Sequence, residues 1–255
     1  MIQAVLFDLG ETLVSYEHVD LLATFAKGAR ETYDLLASDA NLKLPEFDRY
    51  LAHQLWAIRW AYFKSKFTGH DFNSVDILSK CMNKLKINVP ETAYAELVWR
   101  WYKPLADQSQ LDPEAFETLA DIQRRGLKLG LISNTFVPAS AHDRHLAKIG
   151  LLSYFPVRVY SCELGIRKPK KEIFWHALNA LAVGADQAVY VGDKFDIDVR
   201  GARRAGMFAV LKSDRAADND PGRKTYCIRS LRELPDLIDC LQRNVANRTV
   251  SKSIA

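Results

Sequence analysis

Cysteine is scarce. The four present among 255 residues, Cys81, Cys162, Cys227 and Cys240, are scattered, and no two have the close spacing of a zinc site or a redox pair. They read as reduced, mostly packed thiols. Long apolar runs are missing too: none approaches the roughly 20 residues a membrane helix needs. The apolar start after Met1 is broken by Gln3 and Asp8 and has no basic leader, unlike a secretory signal. A cytoplasmic protein with no membrane partner is expected. No internal repeat is present. Acids are absent after Leu241, where Arg243, Arg248 and Lys252 carry three of the four excess positive charges. The remainder is close to neutral, so a phosphate-backbone binder is disfavoured and no nucleic-acid partner is expected.

What is there is ordinary globular material, 48% hydrophobic and 26% charged, long enough for one large domain and a smaller one. The informative stretch is the first fifteen residues. An apolar run, Ala4 to Phe7, ends on the carboxylate of Asp8, and Gly10 lets the chain turn. A buried strand that delivers an acid to its tip suits chemistry at the carboxyl edge of a parallel sheet, although a strand-end Asp can also simply cap a turn.

After Ser15 the texture is helical for about ninety residues. Apolar positions recur at helical spacing from Val19 to Leu36. An aromatic-rich helix follows Pro45 from Glu46 to about Phe67, then helices from about Asn73 to Leu85 and from Pro90 to Trp101. Trp56 and Trp60, one turn apart, read as a packed seam. From Asp112-Pro113 onward, helices and apolar strands alternate: strands at Leu127 to Ile132, Val157 to Tyr160, Ala188 to Val191 and Phe208 to Leu211, a weak one at Thr225 to Ile228, and a last helix from Leu234 to about Leu241. This is the pattern of a doubly wound, Rossmann-like parallel sheet in an α/β core, with the first strand joining it. The expected division is a discontinuous core, 1–15 with 105–241, a helical cap domain over 16–104, and a flexible basic tail over 242–255.

The strand ends carry the functional signal. Strand one delivers Asp8, the second Ser133 and Asn134, the fourth Asp193 with Asp196 and Asp198 beyond it, and the basic turn Arg167 to Lys171 precedes the helix leading to the fourth. In a parallel sheet these converge on one edge. Carboxylates gathered there need a cation, and hard oxygen ligands suit Mg²⁺, which neutralises and orients phosphoryl groups. Arg200, Arg203 and Arg204 read as a solvated face. His142 and His145, three apart on a helix without a nearby third ligand, read as surface residues.

These motifs, in order Phe7-Asp8-Leu9-Gly10-Glu11-Thr12-Leu13, Leu131-Ile132-Ser133-Asn134, Gly165-Ile166-Arg167-Lys168-Pro169, and Val191-Gly192-Asp193 through Asp198 to Gly206, resemble those of the haloacid dehalogenase-like hydrolase superfamily, in the branch with a helical cap after the first strand. The resemblance implies a phosphatase acting on a small phosphorylated metabolite, as a monomer or homodimer. It makes Asp8 the nucleophile that becomes an aspartyl phosphate and also a Mg²⁺ ligand. Ser133 and the amide of Asn134 would hold phosphoryl oxygens, Lys168 would offset charge, and Asp193 would bind the metal with Asp198 as accessory acid. At an ordinary pKa, Asp8 would already be ionised at pH 7. One position departs from the pattern: the second Asp that usually serves as acid and base is here Gly10, whose carbonyl can still contact the metal. Glu11, the neighbouring acid, is the accessory candidate to replace that Asp, although a side chain one position on should point elsewhere. The loss implies a slow enzyme or a good leaving group. The rival readings are a 2-haloacid dehalogenase, which by resemblance lacks the acidic pair Asp193 and Asp198, and a non-catalytic binding protein that kept the fold. Arg59, Lys64 and Lys66 are candidates for contacts from the cap.

Overall fold

Four apolar side chains in succession need cover on both faces, and all four residues of strand β1, Ala4–Phe7, are buried. In the computed structural model, which describes residues 1–68, 71–213, 220, 222 and 224–253 (backbone only for 66 and 244–253), β1 is followed by β2 (Val14–Ser15), α1 (Leu21–Ala37), α2 (Phe47–Thr68), α3 (Ser74–Lys84) and α4 (Tyr94–Gln108). Then come β3 (Gln110–Leu111), α5 (Ala115–Arg124), β4 (Lys128–Ser133), α6 (Ala139–Lys148), β5 (Val157–Tyr160) and the one-turn α7 (Ser161–Leu164). The chain closes with α8 (Lys171–Leu181), β6 (Ala188–Gly192), α9 (Arg200–Ala205), β7 (Phe208–Lys212), β8 (Thr225–Ile228) and α10 (Leu234–Ser253).

Six strands form one parallel sheet in the order β5-β4-β1-β6-β7-β8, with Phe7 level with Leu131 on one side and Val191 on the other. Alternation along β1 feeds two cores: Val5 and Phe7 join the cluster with Leu119 and Ile238, while Ala4 and Leu6 join the one with Phe174 and Leu178. Strand order runs outward in opposite senses on either side of β1. The crevice beyond its carboxyl end is therefore the switch point where open α/β sheets bind ligands.

Helices α1 to α4 pack about a third cluster that includes Leu36, Tyr50, Leu97 and Trp101. The chain enters and leaves this insertion through β2 and β3, which pair antiparallel as Val14 with Leu111 and Ser15 with Gln110. Helices α1 and α4 approach so closely at Gly28 that a Cβ there would lie 2.1 Å from the Trp101 carbonyl oxygen. Gly28→Ala is accordingly expected to destabilise by about 1–3 kcal/mol, because overpacking against backbone outweighs the helix-propensity gain. A lower urea midpoint with an unchanged slope would report it; an equal or higher midpoint would show that the helices separate freely.

Three features differ from the sequence expectation. Helix α4 continues past Trp101 to Gln108 with Pro104 inside it, because Trp101, Tyr102 and Ala106 are buried and their packing outweighs the one lost backbone bond. Helix α10 continues to Ser253, since 242–253 contains neither Gly nor Pro. Trp56 and Trp60 do not form a packed seam: they are 61% and 57% exposed and stack on each other, centroids 6.3 Å apart, along an open cavity between α2 and α3. Among the described residues, no helix is long and apolar enough to cross a membrane.

Candidate active site

Asp8 follows β1 directly, and its amide extends the ladder by donating to the Val191 carbonyl at 2.9 Å. The chain then turns tightly, the Leu9 carbonyl accepting from the amides of both Leu13 and Val14. Glu11 sits in the left-handed region at φ 57°, a conformation that costs a non-glycine residue about 1–2 kcal/mol. Its carboxylate offsets that cost by accepting from the Ser15 hydroxyl and the Tyr16 amide, each at 3.0 Å. Glu11 is thus engaged in the turn and does not line the cavity over Asp8.

Lys168 arrives from the loop before α8, buried to 2% exposure, and its ammonium is fully engaged. Nζ lies 2.7 Å from Asp8 Oδ1 and 2.8 Å from Asp198 Oδ1, and donates to the Tyr190 hydroxyl at 2.8 Å. Burial alone would pull this ammonium down, but the Asp198 and Asp8 carboxylates outweigh it and hold Lys168 above the ordinary lysine range. Asn134, at the end of β4, clamps the Lys168 backbone with both ends of its amide, accepting from Lys168 N at 2.8 Å and donating to its carbonyl at 3.0 Å. Ser133 beside it is buried and faces the same cavity.

Asp198 comes from a single π-helical turn, Phe195–Val199, which follows β6 and folds its side chain back onto Gly192. A Cβ on Gly192 would stand 2.5 Å from Asp198 Cβ and Cγ, so only glycine admits the carboxylate at this depth. Asp198 Oδ2 accepts from the Lys194 amide at 3.0 Å. Burial pushes the Asp8 carboxyl up to about 6 against the pull of Lys168, with the charges of Asp198 and Asp193 adding to the rise. This differs from the ordinary value expected from sequence, because the strand end is drier than a loop. Even so, Asp8 remains mostly ionised at pH 7.

Asp193 completes an acidic trio. Asp8, Asp193 and Asp198 each offer one carboxylate oxygen, all within 4.8 Å of one another. Asp193 Oδ2 pairs with Lys194 Nζ at 3.0 Å, whereas Oδ1 is buried and has no hydrogen-bond partner. A buried, unpartnered carboxylate oxygen beside two more carboxylates is a donor set that fits a hard divalent cation. Above these groups lies a cavity of about 340 Å³ whose far wall comes from the insertion and its linker: Tyr16, Tyr62, Asp71, Tyr102 and Leu105. Arg167 also lines it, braced by a 2.7 Å bond to the Ser65 hydroxyl.

Tyr190, Tyr16, Tyr102 and Asp71 join the site without having been singled out in the sequence, and Arg167 was named there only within the basic turn Arg167 to Lys171. Two histidines also lie elsewhere than expected. His142 and His145 are buried, not on the surface, because the face of α6 that carries them is covered by α4. His142 Nε2 meets the Thr135 hydroxyl at 2.8 Å and its ring stacks on Tyr160, while His145 is bonded on both nitrogens, by Tyr102 and Ser109. Of the proposed contacts from the helical insertion, neither Arg59 nor Lys64 lines this cavity; Lys64 lines a separate one of about 460 Å³ between α2 and α3. The Lys66 side chain lies outside the described residues.

A parallel sheet with an acid at the tip of its central strand, a buried lysine bridging two carboxylates and a helical insertion after the first strand define a hydrolase class. A family model described as haloacid dehalogenase-like hydrolase matches residues 2–206, and the chain belongs to that family. It is 29% identical to a glyceraldehyde 3-phosphate phosphatase of Methanopyrus kandleri, over 93% of this chain and 97% of that one. Among solved structures it is similar to a HAD phosphatase from Thermococcus onnurineus, with 25% identity, a TM-score of 0.59 and coverage of 93% and 98% of the two chains. It is also similar to a 2-haloacid dehalogenase from Pseudomonas syringae pv. Tomato DC3000, with 25% identity, a TM-score of 0.61 and coverage of 94% and 99%.

Proposed function

We propose that the protein is a Mg²⁺-dependent phosphatase that hydrolyses a small phosphorylated metabolite through an aspartyl phosphate on Asp8. The observation that carries this reading is the bridging of Asp8 and Asp198 by Lys168 beside the unpartnered oxygen of Asp193. Asp8, Asp193 and the Gly10 carbonyl would hold Mg²⁺, which when bound neutralises and orients a phosphoryl group. Asp8 Oδ attacks phosphorus while Lys168 offsets the repulsion between carboxylate and phosphate. Ser133 and the Asn134 amide bind phosphoryl oxygens, and the Asn134 side chain keeps Lys168 in place. Asp198 positions Lys168 from the other side. The phosphatase names of relatives that align over nearly the whole chain support a small phosphorylated substrate. The helical insertion acts as the cap.

The test is hydrolysis of p-nitrophenyl phosphate with and without Mg²⁺, beside an Asp8→Asn control. Turnover that needs the metal and disappears in the variant is expected. The likeness to a 2-haloacid dehalogenase favours a second reading, displacement of halide by the same Asp; metal-independent halide release from a 2-haloacid would establish it in place of the first.

A further inference from the structure

This inference rests on the phosphatase reading. A phosphomonoester with an alkoxide leaving group needs a proton at the bridging oxygen, and the carboxylates around the cavity are otherwise engaged. Asp8 is the nucleophile and Asp193 a metal ligand in that reading; Asp198 is bound by Lys168 and the Lys194 amide, Asp71 by the Ser161 hydroxyl and the Phe72 amide, and Glu11, which does not line the cavity, by Ser15 and the Tyr16 amide. The half-buried phenol of Tyr16 is on the wall instead. A Cβ built on Gly10 would stand 4.0 Å from Tyr16 Cε2 and meet nothing closer. The ring carbon next to the hydroxyl-bearing one therefore borders the open space above residue 10.

A chain of polar groups runs back from this wall into the protein. Tyr102 lines the cavity alongside Tyr16, Tyr102 Oη lies 2.9 Å from His145 Nδ1, and His145 Nε2 lies 2.8 Å from Ser109 Oγ. Proton directions follow from the far end. Ser109 gives its single hydrogen to the Ala106 carbonyl at 2.7 Å, so it accepts from His145 Nε2–H. A fully buried, neutral imidazole protonated at Nε2 accepts at Nδ1, and Tyr102 donates there. The Tyr102 oxygen is then left with an acceptor position, and Tyr16, on the same cavity wall, turns its own hydrogen toward the cavity by rotation about its C–O bond.

We propose that Tyr16 is a catalytic residue that gives its hydroxyl proton to the leaving oxygen of the substrate, with Tyr102 and His145 as positioning residues. As the bond from Asp8 to phosphorus forms and the bond to the leaving oxygen breaks, that oxygen takes the Tyr16 proton and departs as an alcohol. The Tyr102 hydroxyl swings from His145 to the phenolate between half-reactions. The phenolate then takes a proton from the water that attacks the phosphoryl group on Asp8, releasing inorganic phosphate and restoring both carboxylate and phenol. No further co-reactant is needed.

Tyr16→Phe keeps the ring and removes the donor. Turnover of an alkyl monoester such as glycerol phosphate is expected to fall by about 10² to 10⁴, the usual worth of general acid-base help, while p-nitrophenyl phosphate, whose leaving group departs readily as an anion, falls by less than about tenfold. Gly10→Asp in the Tyr16→Phe background is expected to recover alkyl-ester turnover, because the space above residue 10 is open. Tyr102→Phe is expected to give a smaller loss with the same alkyl bias. Equal losses on both esters, or no loss on either, would overturn the assignment while leaving the phosphatase reading standing. A parent protein that hydrolyses neither ester with Mg²⁺ would overturn both.

Discussion

Lys168→Met is expected to lower turnover by about 10² to 10³ and to cost about 3–5 kcal/mol of folding stability, whereas Asp8→Asn abolishes turnover and leaves the fold at least as stable as the parent. The asymmetry follows from charge. Among the described residues, Lys168 is the one cation paired with both Asp8 and Asp198, and removing it leaves two buried carboxylates facing each other with Asp193 nearby. Methionine fills the volume of the side chain without supplying any of its three hydrogen bonds. Asp8 is in the opposite position. Its charge is already strained by burial and by its acidic neighbours, so neutralising it relieves repulsion while Lys168 keeps Asp198 and Tyr190. Urea unfolding of the three proteins at pH 7 separates the cases. A Lys168→Met variant as stable as the parent would mean that the ammonium does not hold the acids together.

The second large effect is on stability as pH falls. Burial, with a contribution from Lys148, pulls the His145 imidazole from 6.5 down to about 4; burial, with His145 adding, pulls His142 down to about 3. Both are neutral in the folded protein, while the unfolded chain binds protons on them near pH 6.5. Their contribution is therefore complete above pH 6.5 and is lost as pH falls toward the folded values. Asp8 works in reverse. Its raised pKa favours the fold as pH drops from about 6 toward 3.8, so the parent's own profile is a sum of opposing slopes. A difference measurement isolates the imidazole. Relative to His145→Gln, the parent is expected to lose about 2–3 kcal/mol of unfolding free energy between pH 7 and pH 4.5. A gap that stays constant across that range would show that His145 takes up its proton inside the fold.

The gathering of Asp8, Ser133, Lys168, Asp193 and Asp198 at one edge was legible because a parallel sheet sends every strand end the same way: Asp8, Ser133 and Asp193 close apolar runs, Lys168 stands in a basic turn just before Pro169, and Asp198 lies five residues past Asp193. What surrounds them was not. Tyr190 lies within the apolar run Ala188 to Val191, and alternation reads it only as core; its hydroxyl matters because Lys168 and the Ile132 carbonyl come to it from elsewhere in the chain. His142 and His145 share a helix face, but which face is covered depends on α4, some forty residues earlier. Tyr16, Tyr102 and Asp71 reach the cavity only once the insertion docks, and no local pattern encodes that docking. Strands β2 and β3 are two residues each, too short for any period to register.

Those two short strands have an engineering consequence. Because the polypeptide departs from and rejoins the sheet at one zipped ribbon, 16–109 can be treated as an exchangeable cassette, and a chimaera cut there would keep the nucleophile and its lysine intact. The graft would not be neutral, however. Tyr102 and Ser109 travel with the cassette while His145 remains with the host, so a donor lacking a tyrosine and a serine at these positions would strand a buried imidazole on arrival.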